Sequence, residues 1–275
     1  AAYVDKNAGT NKQVDYTNVA LTGDEAGNYS IANTAMGKGQ IDRANLTVSV
    51  KDYSREYDGA TSANGAELQV TSGTLYAGDT ISGGTKVFDT KDVGTGKTIT
   101  VSEVTVSDSA GNANNYNISY VANTNSVISP KTLTVNFADI SKTYDGTTDA
   151  VAGEGTLQGV VAGEDVTLQD GISAVYDSKN AGNRTVNYSG IAISGADIGN
   201  YTIAATGTGT GVINPKELTA SFADISKTYD GTITAMAGEG TLTGVENVDT
   251  GKVGVTASAA YVDKNAGTNK QVDYT

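Results

Sequence analysis

Apolar and polar residues alternate singly in three stretches of this chain. They are Leu46, Val48 and Val50; Leu133, Val135 and Phe137; and Leu218, Ala220 and Phe222, with mostly Thr, Ser or Asn between them. A period of two marks a strand with one buried face. A second kind of strand shows a slip in this period. Val14 and Tyr16 are followed by Val19 and Leu21, and the same three-residue step separates Val101 from Val104 and Tyr188 from Ile191. An odd step flips the buried face, so the pattern predicts a bulge or a crossing between sheets there. No helical period runs through the chain, and Gly recurs too often for a long helix. About seven short strands per unit, with turns between them, predict an all-β, immunoglobulin-like sandwich. A β-grasp unit is the alternative, and it requires one helix, sought within Gly153–Leu168.

The pattern repeats because the sequence does. Residues 1–17, AAYVDKNAGTNKQVDYT, reappear unchanged as residues 259–275. Tyr-Asp-Gly occurs at Tyr57-Asp58-Gly59, Tyr144-Asp145-Gly146 and Tyr229-Asp230-Gly231, at steps of 87 and 85 residues. The chain therefore reads as a tandem array with a unit of roughly 86 residues, each able to bury its own core. The division is 1–42, the C-terminal part of a unit; 43–130 and 131–215, complete units; and 216–275, the N-terminal part of a further one. Two partial units leave apolar faces and unpaired edges, to be completed by neighbouring repeats or by a like chain. Pro130 and Pro215 follow closely on Val127-Ile128 and Val212-Ile213. Short Pro-stiffened linkers predict restricted hinges and an extended rod.

Each unit carries further turn signals. Lys-Asn-Ala-Gly at Lys6–Gly9, Lys179–Gly182 and Lys264–Gly267, with the variant Lys91-Asp92-Val93-Gly94, reads as a hairpin tip. Gly27-Asn28-Tyr29, Gly199-Asn200-Tyr201 and the variant Asn114-Asn115-Tyr116 read as a later turn.

Composition narrows the chemistry. A net charge of −13 opposes nucleic acid and anionic membranes. With no Cys and no His, disulfides, thiolate sites and His-based triads are absent. No carboxylate pair stands out for glycoside hydrolysis, so no enzyme activity and no cofactor are expected. No apolar run reaches membrane-span length, and no signal peptide opens the sequence.

Ser141-Lys142-Thr143-Tyr144-Asp145-Gly146, the later Lys179-Asn180-Ala181-Gly182 and the Gly-Asn-Tyr turn together resemble the YDG-type repeats of bacterial surface proteins, grouped with the mucin- and glycan-binding MBG repeats. The resemblance covers essentially the whole chain. It departs at Ser54-Arg55-Glu56, where the other units have Ser-Lys-Thr. It implies export to the cell surface in the stalk of a large adhesin, similar to filamentous-haemagglutinin-like proteins released by two-partner secretion, and it supplies no catalytic residues.

Two readings of Tyr-Asp-Gly compete. In one, Tyr stacks on a glycan and Asp accepts its hydroxyls. In the favoured one, Gly takes a backbone conformation closed to other residues, Asp caps the turn and Tyr packs at a corner. Twelve tyrosines in recurring positions (Tyr3, Tyr16, Tyr29, Tyr57, Tyr116, Tyr144, Tyr176, Tyr188, Tyr201, Tyr229, Tyr261 and Tyr274) are expected to fill the core. Tyr53 and Tyr120 are expected to face inward, and Tyr76 is the one candidate for an exposed ligand contact. Asp24, Asp108 and Asp197 are expected to cap turns rather than bind calcium, which needs six or more oxygens. A Lys–Asn isopeptide crosslink is disfavoured, because Arg55 stands where the other units have Lys. Six Asn-x-Ser/Thr matches carry little weight in this composition. The reading is a spacer in an adhesin stalk or extracellular fibre, serving adhesion or biofilm cohesion, with its own neighbouring repeats as first partners. The alternatives are a multivalent binder of host or matrix glycans and a filament assembled by strand pairing between like chains.

Overall fold

The computed structural model describes residues 1–76, 78–108 and 115–275. Among them every regular element is a strand or a short 3-10 turn, at Ala26–Asn28, Ile198–Asn200 and Asn247–Asp249. The β-grasp alternative fails, because 153–168 holds only two short strands and a turn. No helix among the described residues is long and apolar enough to cross a membrane. Contacts divide the chain into two compact units. One is 1–132 with the loops 161–163 and 197–202; the other is 133–160, 164–196 and 203–275.

In the first unit, β1 (Ala2–Tyr3), β2 (Gly9–Thr17) and β3 (Thr34–Ile41) form one antiparallel sheet in that order. Among the described residues the following repeat has seven strands: β4 (Ala44–Val50), β5 (Ser54–Glu56), β6 (Leu68–Gly73), β7 (Thr80–Phe88), β8 (Gly94–Ser107), β9 (Tyr116–Tyr120) and β10 (Asn123–Ser129). They make two sheets, ordered β6-β4-β9 and β5-β10-β8-β7. Leu46, Val48 and Val50 from the first sheet and Phe88, Ile99, Val101 and Ile128 from the second are all buried, so the alternating residues are the core of a sandwich. Two chain segments run side by side and parallel through both layers. β4 pairs with β9 in one sheet, and β5 then pairs with β10 in the other.

The next repeat has β11 (Lys131–Phe137), β12 (Ile140–Thr143), β13 (Asp149–Ala150), β14 (Gly155–Gln158), β15 (Thr167–Leu168), β16 (Ser173–Tyr176), β17 (Gly182–Ser189), β18 (Ile193–Ser194), β19 (Tyr201–Ile203) and β20 (Thr206–Asn214). The larger sheet is ordered β12-β20-β17-β16-β13, while β14 pairs with β11 and β15 with β18. Phe137 of β11 stacks on Tyr188 of β17 at 3.7 Å between ring centroids, closing the two layers over Ala174, Tyr176, Val186 and Ile213. Beyond them, β21 (Thr219–Phe222), β22 (Thr234–Ala235), β23 (Gly240–Thr243), β24 (Ala259–Tyr261) and β25 (Val272–Tyr274) form the sheets β21-β23 and β22-β24-β25. Here Phe222 stacks on Tyr274 in the same way, at 4.4 Å.

The slip in the alternating pattern has one cause. Asn18, Glu103 and Gly190 occupy equivalent positions and all take left-handed backbone, at φ +60°, +58° and +76°. One such residue lets Val101 and Val104, or Tyr188 and Ile191, both point inward across an odd step.

The tyrosine expectation needs correction. Tyr57, Tyr116, Tyr176, Tyr188 and Tyr201 are buried, but Tyr3, Tyr16, Tyr29 and Tyr229 are exposed. All four lie in 1–42 or 216–275, where fewer strands are present to cover them. Tyr120, expected to face inward, is 39% exposed at the end of β9, and its hydroxyl accepts the Val104 amide at 2.9 Å.

Candidate functional site

The recurring motifs gather at joints between successive repeats, and each joint is built from the same local parts. The Tyr-Asp-Gly turn is closed by charge. Asp145 Oδ1 accepts the Thr147 amide at 2.9 Å and Lys142 Nζ at 2.8 Å, and Lys142 also donates to the Thr147 and Asp149 carbonyls at 3.0 and 2.9 Å. Lys227, Asp230 and Thr232 reproduce the arrangement. Arg55 takes the place of the lysine, pairing with Asp58 and donating to the Ala60 carbonyl. Each cation also lies over an aromatic ring of the neighbouring hairpin: Arg55 over Phe88, Lys142 over Tyr176 and Lys227 over Tyr261, at 5.2, 5.5 and 5.9 Å. The Lys142 ammonium and the Thr147 amide hold the Asp145 carboxyl down at about 2, and Lys227 with Thr232 does the same for Asp230. For Asp58, burial works against ionisation, but the Ala60 amide and Arg55 outweigh it and the shift is downward.

The turn Gly is left-handed in every copy, at φ +79° for Gly59 and Gly146 and +76° for Gly231. At two of these glycines the next repeat closes in. A β-carbon on Gly59 would lie 2.7 Å from Val161 Cγ1, and one on Gly146 would lie 2.6 Å from Val248 Cγ2. No real β-carbon fits at such a distance, so Gly serves both the turn and the approach.

The Asn-Tyr turn docks on the hairpin tip of the preceding repeat. Asn200 Oδ1 accepts the Val93 amide at 2.9 Å, and its Nδ2 reaches Asp92 at 3.4 Å. Tyr201 sets its ring edge-on against Tyr57 at 5.5 Å, and its hydroxyl accepts the Val161 amide at 3.0 Å. Asn115 repeats the same pairing one period earlier, accepting from the Ala8 amide at 2.8 Å and donating to Asn7 at 3.1 Å. Asn114, in the same predicted turn, lies outside the described residues.

The tip lysine adds an ion pair. Lys6 lies 3.3 Å from Asp108 and 3.9 Å from Asp79, whose carboxylate also receives the Tyr116 hydroxyl. Lys179 lies 3.2 Å from Asp249, donates to the Tyr144 hydroxyl at 2.9 Å and is pushed up in pKa by both, while Asp249 is held down by Tyr144 and Lys179. Asp108 pairs with Lys6 of another repeat, a partner invisible to local reading, while the turn it was expected to cap lies outside the described residues. Asp197, also expected to cap, sits at the N-cap of its 3-10 turn but makes no side-chain cap hydrogen bond there.

Among the described residues no group of three His, Cys, Asp or Glu is placed to hold a metal ion. Tyr76 is 60% exposed and lies beside Tyr116, with ring centroids 6.4 Å apart. Tyr53 is half-buried against Phe88. The Asn-Tyr turn is the part of the joint that sequence reasoning described only as a turn; its signal was a polar Asn recurring before a recurring Tyr.

The sequence model of the YDG domain matches residues 1–36, 42–125, 129–209 and 214–275. The chain belongs to the YDG domain family. No curated protein and no solved structure matches it. In these YDG repeats the name-giving tripeptide is thus a closed turn, and in two of its three copies it also receives the following repeat.

Proposed function

We propose that these YDG repeats are spacers in the stalk of an exported bacterial adhesin or extracellular fibre, setting reach rather than contacting a receptor. One observation carries the reading. In the two complete repeats the recurring residues are spent within the chain, on closing turns and contacting a neighbouring repeat. A lectin array instead repeats its exposed contact, whereas the exposed Tyr76 stands where the other repeats have Gln158 and Thr243. The joints, with Asn and Tyr seated on the previous tip, oppose bending between neighbours. The acidic surface, with a net charge of −13, keeps such a stalk from adhering to nucleic acid or to anionic lipid.

A spacer adds a constant increment of reach per repeat. Small-angle scattering on chains of one and two periods in tandem is expected to show the maximum dimension growing in proportion to repeat number. A maximum dimension that stays flat, or saturable glycan binding lost on changing Tyr76 to Ser, would reject the proposal.

A further inference from the structure

A peptide bond between Asp and Gly is open to attack by its own backbone. The carboxyl lies one residue from the amide nitrogen, and Gly has no side chain to hinder the approach. The chain has four such bonds, at Asp58-Gly59, Asp145-Gly146, Asp170-Gly171 and Asp230-Gly231. Three belong to Tyr-Asp-Gly turns; the fourth lies between β15 and β16 of the repeat 131–215.

The turn carboxyls are committed. Asp145 Oδ1 accepts the Thr147 amide and hydroxyl at 2.9 Å each and Lys142 Nζ at 2.8 Å. Asp58 accepts the Ala60 amide at 2.9 Å and pairs with Arg55. Swinging either carboxyl onto the Gly nitrogen breaks those bonds. Cyclisation also needs a protonated carboxyl, because one of its oxygens must leave as water. Held at about 2, the Asp145 carboxyl carries that proton far less often than an ordinary one at 3.8.

Asp170 lacks these restraints. It is exposed and takes no hydrogen bond or ion pair among the described residues. Gly171 stands at φ +91°, with open space where a β-carbon would lie. Leu168 and Ile172 pack on the core to either side, so the bare linkage is held at the surface between two anchors.

We propose that Asp170-Gly171 is the site at which the folded chain converts to isoaspartate, and that the cation of each Tyr-Asp-Gly turn shields its own Asp-Gly bond from the same reaction. The Gly171 nitrogen attacks Asp170 Cγ, its proton and the carboxyl hydroxyl leave together as water, and a five-membered succinimide closes. Water then opens the ring at either carbonyl. One opening restores Asp; the other leaves the main chain running through Cγ, one methylene longer, with a free α-carboxylate. No electrons change hands, and the water released is returned. The recurring Lys or Arg thus has a chemical task beside closing the turn, and the inference does not depend on the spacer reading.

The test ages the full, folded chain near neutral pH and scores isoaspartate at each Asp-Gly bond by electron-transfer mass spectrometry. Isoaspartate is expected to accumulate at Asp170 at least about tenfold faster than at Asp58 or Asp145. In urea the rates are expected to converge. Lys142→Met is expected to speed the reaction at Asp145 at least about threefold without changing Asp170, while Lys142→Arg, which copies Arg55, keeps Asp145 protected. Equal rates at Asp170 and Asp145 in the folded chain would overturn the inference, and this comparison needs no variant to fold. So would a gap that persists in urea, or an Asp145 rate that is the same with Lys, Arg or Met at 142.

Discussion

Val248 Cγ2 stands 2.6 Å from the point where a β-carbon on Gly146 would lie, while the equivalent point on Gly231 meets open space. The same turn thus occurs with and without a neighbour against it, which separates two demands on one residue. Gly146→Ala incurs both left-handed strain and displacement of Val248; Gly231→Ala incurs strain alone. The strain is worth roughly 1–2 kcal/mol. Thermal unfolding is expected to show both variants destabilised and Gly146→Ala the more so. Equal shifts would mean that the Val248 contact yields freely.

Acid is expected to loosen the turns before the cores. The folded-state carboxyls of Asp145 and Asp230 lie at about 2, below the ordinary value of 3.8. A depressed carboxyl contributes stability that is present above its unfolded value and is lost as pH falls through the folded one. The loss therefore runs from about pH 4 to about pH 2. Both carboxylates are about half exposed, which keeps the effect small. Urea midpoints measured across this window are expected to fall less steeply in Asp145→Asn with Asp230→Asn than in the unmodified chain.

Removing the docked amide exposes the tip it covers. Asn200→Ala deletes the acceptor for the Val93 amide at a buried position, at a cost of about 1–3 kcal/mol. Hydrogen exchange is expected to accelerate at Val93 while amides in the β8 core stay protected. In Asn115→Ala the Ala8 amide is expected to behave likewise. Unchanged exchange at both amides would contradict the joint.

The slip residue offers a stabilising change. Glu103 holds left-handed backbone that Gly190 accepts without strain. Glu103→Gly is expected to stabilise its repeat by up to about 1 kcal/mol, offset in part by loss of the exposed hydrogen bond that the Thr85 hydroxyl donates to the Glu103 carboxylate. Gly190→Ala is expected to destabilise its repeat, and chemical denaturation of the two variants checks both signs.

Local chemistry was legible in the sequence. Leu46, Val48 and Val50 announced their buried face, the step from Val101 to Val104 announced an irregularity in the strand though not the left-handed Glu103 that makes it, and Gly146 announced its turn. The partners of the motifs were not. Asn115 and Asn200 meet tips 107 residues earlier in the chain, and no period of two or of turn spacing encodes that distance. Tyr29 and Tyr229 failed as core residues for a related reason: a recurring position promises burial only where the recurring neighbour is also present. Residues 9–17 and 267–275 make the point most directly. The same nine letters form a full strand beside β3 but only the three residues of β25 without such a partner.

The parallel pairing of β5 with β10 has a mechanical consequence. Ser54, Arg55 and Glu56 lie beside Val127, Ile128 and Ser129, so the leaving strand of a repeat runs parallel to the strand that follows its entry, just as the entering β4 runs parallel to β9 in the other sheet. Tension transmitted along the chain pulls these two strands in opposite directions along their length. Their hydrogen bonds are then loaded together in shear, not peeled one at a time, and the repeat yields only when the whole patch gives way. Repeats of this kind are expected to stay folded under pulls that would unzip a hairpin and to lengthen in discrete steps when stretched in a single-molecule force measurement.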